Sequence, residues 1–383
     1  MENHSAMMID LKQLHLVLFF TEGVSLEIWD RGGLFDREVA LYKALLPHLK
    51  AITFVTYGKA HDLDFAQRIA GIRIVCNRWN LGPQWYRRTF PLALRSCRKG
   101  PAIFKSNQVR GGGIPVYLAK RFGKPSIARC GYLPSDSLKT RQGEAAEAIR
   151  QAMLWENELF SQANRCVVTT QAMKHCLLQD YGVASGNVRV IPNYVDTTLF
   201  APDANRKKNK RRIIFVGRLE EVKNIFSLID ALVAQDVGLW VVGEGSQRQA
   251  LENAAREKGV STQFFGARPH HELPELLNSA TAYILPSTWE GHPKTLLEAM
   301  SCGLPCIGSD IPSIRSVIHH GENGLLCGLD ATSIRHTIVQ LLAQPALQER
   351  LGQNARTYAL QHLSLERIVA MELEVYRELL HRT

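Results

Sequence analysis

Two stretches in the second half of the chain set charged side chains directly after apolar runs. In Phe215-Val216-Gly217-Arg218-Leu219-Glu220-Glu221-Val222-Lys223-Asn224 the apolar run ends at Gly217 and two cations, Arg218 and Lys223, follow. Glycine at that point lets the backbone approach a ligand. A forked guanidinium beside a point-charge ammonium suits the two phosphates of a diphosphate. Asn224 stands where it would cap the next helix. The competing reading is a solvated loop in which the cations pair with Glu220 and Glu221.

The second stretch, Leu285-Pro286-Ser287-Thr288-Trp289-Glu290-Gly291-His292-Pro293-Lys294-Thr295-Leu296-Leu297-Glu298-Ala299-Met300, also follows an apolar run. Pro293 fits the first turn of a helix, where its missing N–H costs nothing. The amides of Lys294 and Thr295 would then offer an anion site at the helix N-terminus. Glu290 precedes that helix and Glu298 lies more than one turn inside it, so they grip different parts of one elongated ligand. Carboxylates accept hydrogen bonds from hydroxyls, as binding a sugar and a ribose requires. The plainer alternative makes Glu290 a capping acid and Glu298 a helix-face charge. Gly243-Glu244-Gly245 is another close-approach loop, and Phe265-Gly266-Ala267-Arg268 could edge a nucleobase. A glycine after a strand is by itself usually only a turn; four such loops in succession carry more weight.

The elements that position these loops follow from the pattern. Both halves alternate short apolar runs with longer amphipathic stretches, the mark of β-α-β units and parallel sheets. In the first half strands are expected at His15–Phe20, Ile52–Tyr57, Ile72–Cys76, Ala102–Lys105, Ser126–Arg129 and Cys166–Thr169. Helices are expected at Leu34–Leu46, Ile114–Phe122 and Gly143–Ala163. In the second half strands fall at Ile213–Val216, Leu239–Val242, Thr262–Phe265, Ala282–Leu285 and Cys306–Gly308. Ile225–Ala234, Ser246–Lys258 and Lys294–Cys302 are the helices between them, and Leu363–Leu380 is a closing amphipathic helix. The expected fold is α/β, two Rossmann-like domains, 1–195 and 196–363, facing across a cleft, with the last helix following them. The polar stretch Ala201–Arg212 reads as a linker or surface loop.

At 383 residues, two domains are the default. Leu14–Phe20 is too short to span a bilayer and lacks the flanks of a signal peptide, so a cytoplasmic location is expected. The eight cysteines form no Cys-x-x-Cys pair and read as reduced, buried thiols. His270-His271 and His319-His320 read as surface residues rather than ligands. Asp62-Leu63-Asp64 has the Asp-x-Asp spacing of a metal site, but no convergent ligands accompany it. Gly111-Gly112-Gly113 lacks the Gly-x-Gly-x-x-Gly spacing and reads as a helix start. No metal and no cofactor are expected. Residues 1–195 carry 26 Lys+Arg against 15 Asp+Glu, whereas 196–383 carry 20 against 21, so the excess of +10 lies in the first half. That half is expected to meet something anionic.

Arg218…Lys223 together with Glu290-x7-Glu298 resembles glycosyltransferase family 4, of the GT-B fold, and the likeness covers nearly the whole chain. The resemblance implies transfer of a sugar from a nucleotide diphosphate donor, with retention and without a metal, and a helix at 364–383 that returns to the first domain. Arg218 and Lys223 would hold the diphosphate, Glu290 the donor sugar and Glu298 the ribose. Arg218, Lys223 and Glu290 are thus the catalytic candidates. The donor site would add Gly33, Gly217, Gly243, Gly245, Arg268, Pro293, Lys294, Thr295 and Glu298. Gly33 enters through Trp29–Glu38, which is similar to the family's glycine-rich loop. Where many members carry histidines, this chain has Lys105-Ser106-Asn107-Gln108 and Arg129-Cys130-Gly131-Tyr132. Asn107, Arg129 and Tyr132 are the candidates for acceptor or donor contacts.

The implied partners are a nucleotide sugar, by family habit a UDP-sugar, and a glycan or lipid-linked acceptor of surface polysaccharide or lipopolysaccharide assembly. Arg78–Lys99 mixes Trp79, Trp85, Tyr86 and Phe90 with cations, which suits anionic lipid headgroups; the alternative is an amphipathic helix with inward aromatics. Competing functions are a sugar-nucleotide epimerase or a phosphorylase on the same fold. A nucleic-acid-binding protein is a further alternative, but no recognition motif supports it, so no nucleic acid is expected as a partner.

Overall fold

The computed structural model describes residues 10–139, 146–205 and 211–381. The beginning of the helix expected at Gly143 and the centre of the expected linker lie outside the described residues. The chain divides into two compact units. The first comprises the chain up to Ile191 together with Ile368 onward, and the second runs from Pro192 to Arg367. Pro192–Val195 therefore pack with the second unit rather than closing the first, because Val195 N–H donates to Leu363 O (2.9 Å) and Leu365 N–H to Val195 O (3.1 Å).

The first unit holds a seven-stranded parallel sheet. Its strands are β1 (His15–Phe19), β2 (Ala51–Val55), β3 (Ile72–Val75), β4 (Ala102–Ser106), β5 (Ser126–Cys130), β6 (Arg165–Val168) and β7 (Val188–Val190), in the order β3-β2-β1-β4-β5-β6-β7. β1 to β6 lie within a few residues of the expected positions, whereas β7 went unrecognised as a three-residue edge strand. The interior strands β1 and β2 are buried on both faces from their second residue on, as covered parallel strands must be. A six-stranded parallel sheet forms the second unit from β8 (Arg212–Val216), β9 (Gly238–Val242), β10 (Thr262–Gly266), β11 (Ala282–Leu285), β12 (Cys306–Ser309) and β13 (Leu325–Cys327), in the order β10-β9-β8-β11-β12-β13. In each sheet the order reverses beside the first strand, at β1/β4 and at β8/β11. Ligands of open α/β sheets bind outside the carboxyl ends of the strands at such a reversal.

The helix Leu365–Leu380 begins in the second unit and ends in the first. Within the first unit its Glu372 accepts from Lys105 Nζ on β4 at 2.6 Å, with both side chains buried. One turn and a half further on, Glu378 pairs with Arg165 (3.0 Å) and Arg189 (2.9 Å). Lys105, one of the residues standing where family histidines are expected, is thus a clasp for this helix.

Arg78–Lys99 divides by face. Tyr86 and Phe90 are buried, Tyr86 donating through its hydroxyl to Thr56 O at 2.7 Å, while Trp79 and Trp85 are 60% and 63% exposed. All eight cysteines are free and Cys176 alone is not buried. Burial pushes the Cys166 thiol up to about 12. No helix among the described residues is long and apolar enough to cross a membrane.

Candidate functional site

In the second unit the two motif stretches emerge from the adjacent strands β8 and β11, at the sheet's reversal, and are stitched together. Thr288 N–H donates to Val222 O at 2.9 Å. Asn224 Nδ2 donates to Pro286 O (3.2 Å) and Leu329 O (2.9 Å). Asn224 is therefore not the expected side-chain cap of Ile225–Ala231. It adopts the left-handed conformation (φ 53°) and spends its amide tying three loops together.

Lys223 Nζ donates to Glu290 Oε1 at 2.5 Å, and Ser287 Oγ donates to the same oxygen at 2.7 Å. Both partners of the ion pair are largely buried, at 14% and 10% side-chain exposure. The expected alternative, pairing of the loop cations with Glu220 and Glu221, fails for Lys223. Glu220 instead binds Ser246 through N–H (3.2 Å) and Oγ (2.7 Å). Arg218 is exposed and has no carboxylate partner among the described residues.

Glu298 lies inside the helix Lys294–Ser301 and is 2% exposed, so the helix-face reading is wrong for it. His270 Nε2 lies 2.9 Å from Glu298 Oε1, and the His270 ring packs against Phe200 with 4.9 Å between centroids. His270 is 9% exposed, which corrects its reading as a surface residue; His271 is exposed as expected. The signal was out of reach because it depends on a contact between a loop and a helix 28 residues apart. Glu290 and Glu298 thus have separate anchors. Pro293 occupies the N-cap position (φ −75°, ψ 100°), one residue before the expected first turn. Thr295 Oγ1 is held 2.8 Å from the hydroxyl of the buried Tyr283 on β11. Burial raises that phenol well above its usual range, so it keeps its proton.

Gly243 and Gly245 follow β9 and serve a purpose the sequence did not disclose. A Cβ on Gly243 (φ +136°) would sit 1.9 Å from Gly217 O, and one on Gly245 would sit 2.4 Å from Leu219 O. The close approach is of one loop to the next, locked by Leu219 N–H to Glu244 O at 2.9 Å. Arg268 is exposed, 3.6 Å from Glu272, with its guanidinium 5.9 Å from the Phe265 ring.

The remaining candidates lie in the first unit. Gly33 (φ +66°) forms the turn between the helices Leu26–Arg31 and Phe35–Leu45, the first of which went unrecognised. Asn107 follows β4, Arg129 lies on β5, and Tyr132 follows it with 40% exposure. Arg129 Nη1 donates to Asn107 O at 3.4 Å, which brings those two together. Asp62 and Asp64 diverge. Asp62 is buried, accepting from Thr56 Oγ1 and from Glu27 N–H (3.3 Å), whereas Asp64 is exposed beside His61 at 3.5 Å. Among the described residues no cluster of His, Cys, Asp and Glu could hold a metal ion.

Two family models cover most of the chain: Glycosyl transferases group 1 over residues 196–358 and Glycosyltransferase Family 4 over residues 40–199. The chain is built of a glycosyltransferase family 4 domain followed by a glycosyl transferases group 1 domain. The loops after β8, β9, β10 and β11 fall inside the first of these matches, and Asn107, Arg129 and Tyr132 inside the second. Glycogen synthase of Mycobacterium tuberculosis is 27% identical over 236 residues, 59% of this chain and 57% of that one. The match thus spans little more than half of that relative. Among solved structures, sucrose-phosphate synthase of Thermosynechococcus elongatus is similar with a TM-score of 0.79 at 21% identity, over 97% of this chain and 100% of that one. HepE of Anabaena, solved with UDP, has a TM-score of 0.77 at 15% identity, over 95% and 100%. These likenesses establish the GT-B class of two Rossmann-like domains.

Proposed function

We propose that the chain is a glycosyltransferase that moves a hexose from a nucleotide diphosphate donor to a glycan or lipid-linked acceptor, with retention at the anomeric carbon. The observation that carries this reading is the asymmetry at the β8/β11 reversal. Arg218 is exposed and lacks a carboxylate partner, while Lys223 is held in place by Glu290. A fixed ammonium beside an available guanidinium suits a diphosphate that gains charge as it departs. The first turn at Lys294 and Thr295 adds amides to the same end of the sheet. Glu290, anchored by Ser287, would accept hydroxyls of the donor sugar, and Glu298, anchored by His270, those of the ribose. Arg268 would edge the base. Gly217, Gly243 and Gly245 give the loops their shape, and Pro293 starts the helix.

The reading extends to Gly33 as a backbone contact to the donor, and to Asn107, Arg129 and Tyr132 as contacts to acceptor or donor. UDP is the proposed nucleotide, in keeping with the UDP bound by HepE. Charge neutralisation by Arg218 and Lys223 makes a metal unnecessary in this scheme. A role in surface polysaccharide or glycolipid assembly on the cytoplasmic side follows from the acceptor class.

Hydrolysis of UDP-, GDP- and ADP-sugars, with and without EDTA, tests the proposal. Slow, EDTA-resistant release of one nucleotide is expected, falling at least a hundredfold in Arg218→Ala, on the order of the loss of a single transition-state charge contact. No release and no calorimetric binding of any nucleotide would overturn it.

A further inference from the structure

From Phe65 to Ser135 the chain carries fourteen lysines and arginines and no aspartate or glutamate. The helix Pro83–Ala93 lies inside this stretch and is sorted into two faces. Tyr86, Phe90 and Leu94 are buried against Val17, Phe19, Val55 and Phe104 of the sheet. On the opposite face, three to four residues apart, stand Trp85 (63% exposed), Arg88, Leu92 (69% exposed) and Arg95. A core-facing helix normally turns polar groups outward, so two large apolar side chains in the middle of an outer stripe need a reason. Arg88 lies over the Trp85 ring at 4.6 Å, and just upstream Arg78 lies over Trp79 at 4.2 Å. Arg78, Arg88 and Arg95 have no carboxylate partner among the described residues. The neighbouring helix Gly113–Phe122 packs on the same core and exposes Tyr117 (60%) together with Lys120 and Arg121.

We infer that this outer face docks on an anionic lipid bilayer, with Trp79, Trp85 and Leu92 entering the interface and the arginines resting on the headgroup phosphates. Indole rings favour the membrane interface, and long cationic side chains reach outward from it to phosphate. A phosphate-rich partner without an apolar layer would leave Leu92 unexplained, and this selects a bilayer over a nucleic acid. The face belongs to the first unit alone and takes no part in the proposed donor chemistry. It would bring a lipid-linked acceptor to the enzyme without a spanning helix.

The test uses the full chain and vesicles of phosphatidylcholine, alone or mixed with phosphatidylglycerol. Sedimentation with the mixed vesicles only, weakening as salt is raised, is expected. Arg88→Glu/Arg95→Glu and, at unchanged charge, Trp85→Ser/Leu92→Ser should each lower the partition coefficient at least tenfold. All four side chains point away from the core, so thermal melts and donor hydrolysis of both variants should match wild type. Equal recovery with neutral and anionic vesicles would overturn the inference, as would undiminished binding by the Trp85→Ser/Leu92→Ser variant. Duplex DNA binding that outcompetes vesicles would do the same and would assign the face to nucleic acid. Because donor hydrolysis is read on the same samples, loss of the donor activity leaves this result intact, and the converse also holds.

Discussion

Arg218 and Lys223 sit in one loop, yet they meet different fates, and the difference is local. Lys223 has the Glu290 carboxylate within reach and is drawn into a largely buried pair; Arg218 remains exposed at the strand end. His270 matters for a related reason. Its ring bond to Glu298 fixes a carboxylate that the proposed function gives to the ribose. His270→Ala should raise the donor KM about tenfold, the worth of one hydrogen bond to a charged group. kcat should stay within twofold, and His270→Gln should recover part of the loss. Equal falls in kcat and kcat/KM would assign His270 to the reaction itself. His15, on β1, makes a prediction for pH. Burial, then the charges of Arg73 and Lys50, lower its pKa below 6.5. The unfolded chain therefore takes up a proton at higher pH than the folded one does. Stability accordingly rises with pH across the window just below 6.5 and is lost as pH falls through it. Between about pH 7.5 and about pH 5.5 the wild-type Tm should fall further than that of His15→Gln.

At the scale of elements, the glycine loops after β8 and β9 act as one body. Gly243→Ala must combine a strained φ with a contact on Gly217 O, and should cost about 2–4 kcal/mol in urea unfolding. Gly259→Ala is the control, since its φ is +65° but nothing lies within 4 Å of the added carbon. It should cost only about 1 kcal/mol. Equal losses would mean that backbone conformation, not loop packing, selects glycine at 243. These loops also mark the boundary of what the sequence disclosed. Strands of five or so apolar residues, such as β1, β8 and β11, were legible because burial on both faces leaves no ambiguity. The three-residue strands β7 and β13 were not, because so short a run has no period. The identities Arg218, Lys223, Glu290 and Glu298 stood out by residue type after a strand. His270, the partner of Glu298, and Tyr283, the partner of Thr295, did not, since each contact is fixed by packing between elements rather than by spacing. Asn224 shows the limit most plainly: its type suggested a cap, and its conformation made it a brace.

For the whole molecule, the buried pair between Lys105 and Glu372 is the decisive contact of the last helix. Burial pulls the Lys105 ammonium below the ordinary lysine range, and Glu372 opposes that shift. Glu372→Ala would strand a buried cation and should destabilise by about 3–5 kcal/mol, whereas Lys105→Met/Glu372→Leu should be far milder. Equilibrium unfolding of both variants, followed by tryptophan fluorescence, distinguishes the cases; equal losses would mean that shape, rather than charge, docks the helix.

That same clasp has a meaning for the newborn chain. Lys105 leaves the ribosome 267 residues ahead of its partner, which at about 5–20 residues per second is roughly ten seconds to one minute. Throughout that interval the first sheet must wait with an ammonium aimed at a vacant groove, and Arg165 and Arg189 wait beside it for Glu378. The second unit, although later in the sequence, can close on itself sooner. The first sheet, although made first, is therefore completed only when Glu372 and Glu378 have left the exit tunnel, and a ribosome stalled shortly before codon 372 would display a first unit still lacking its last helix.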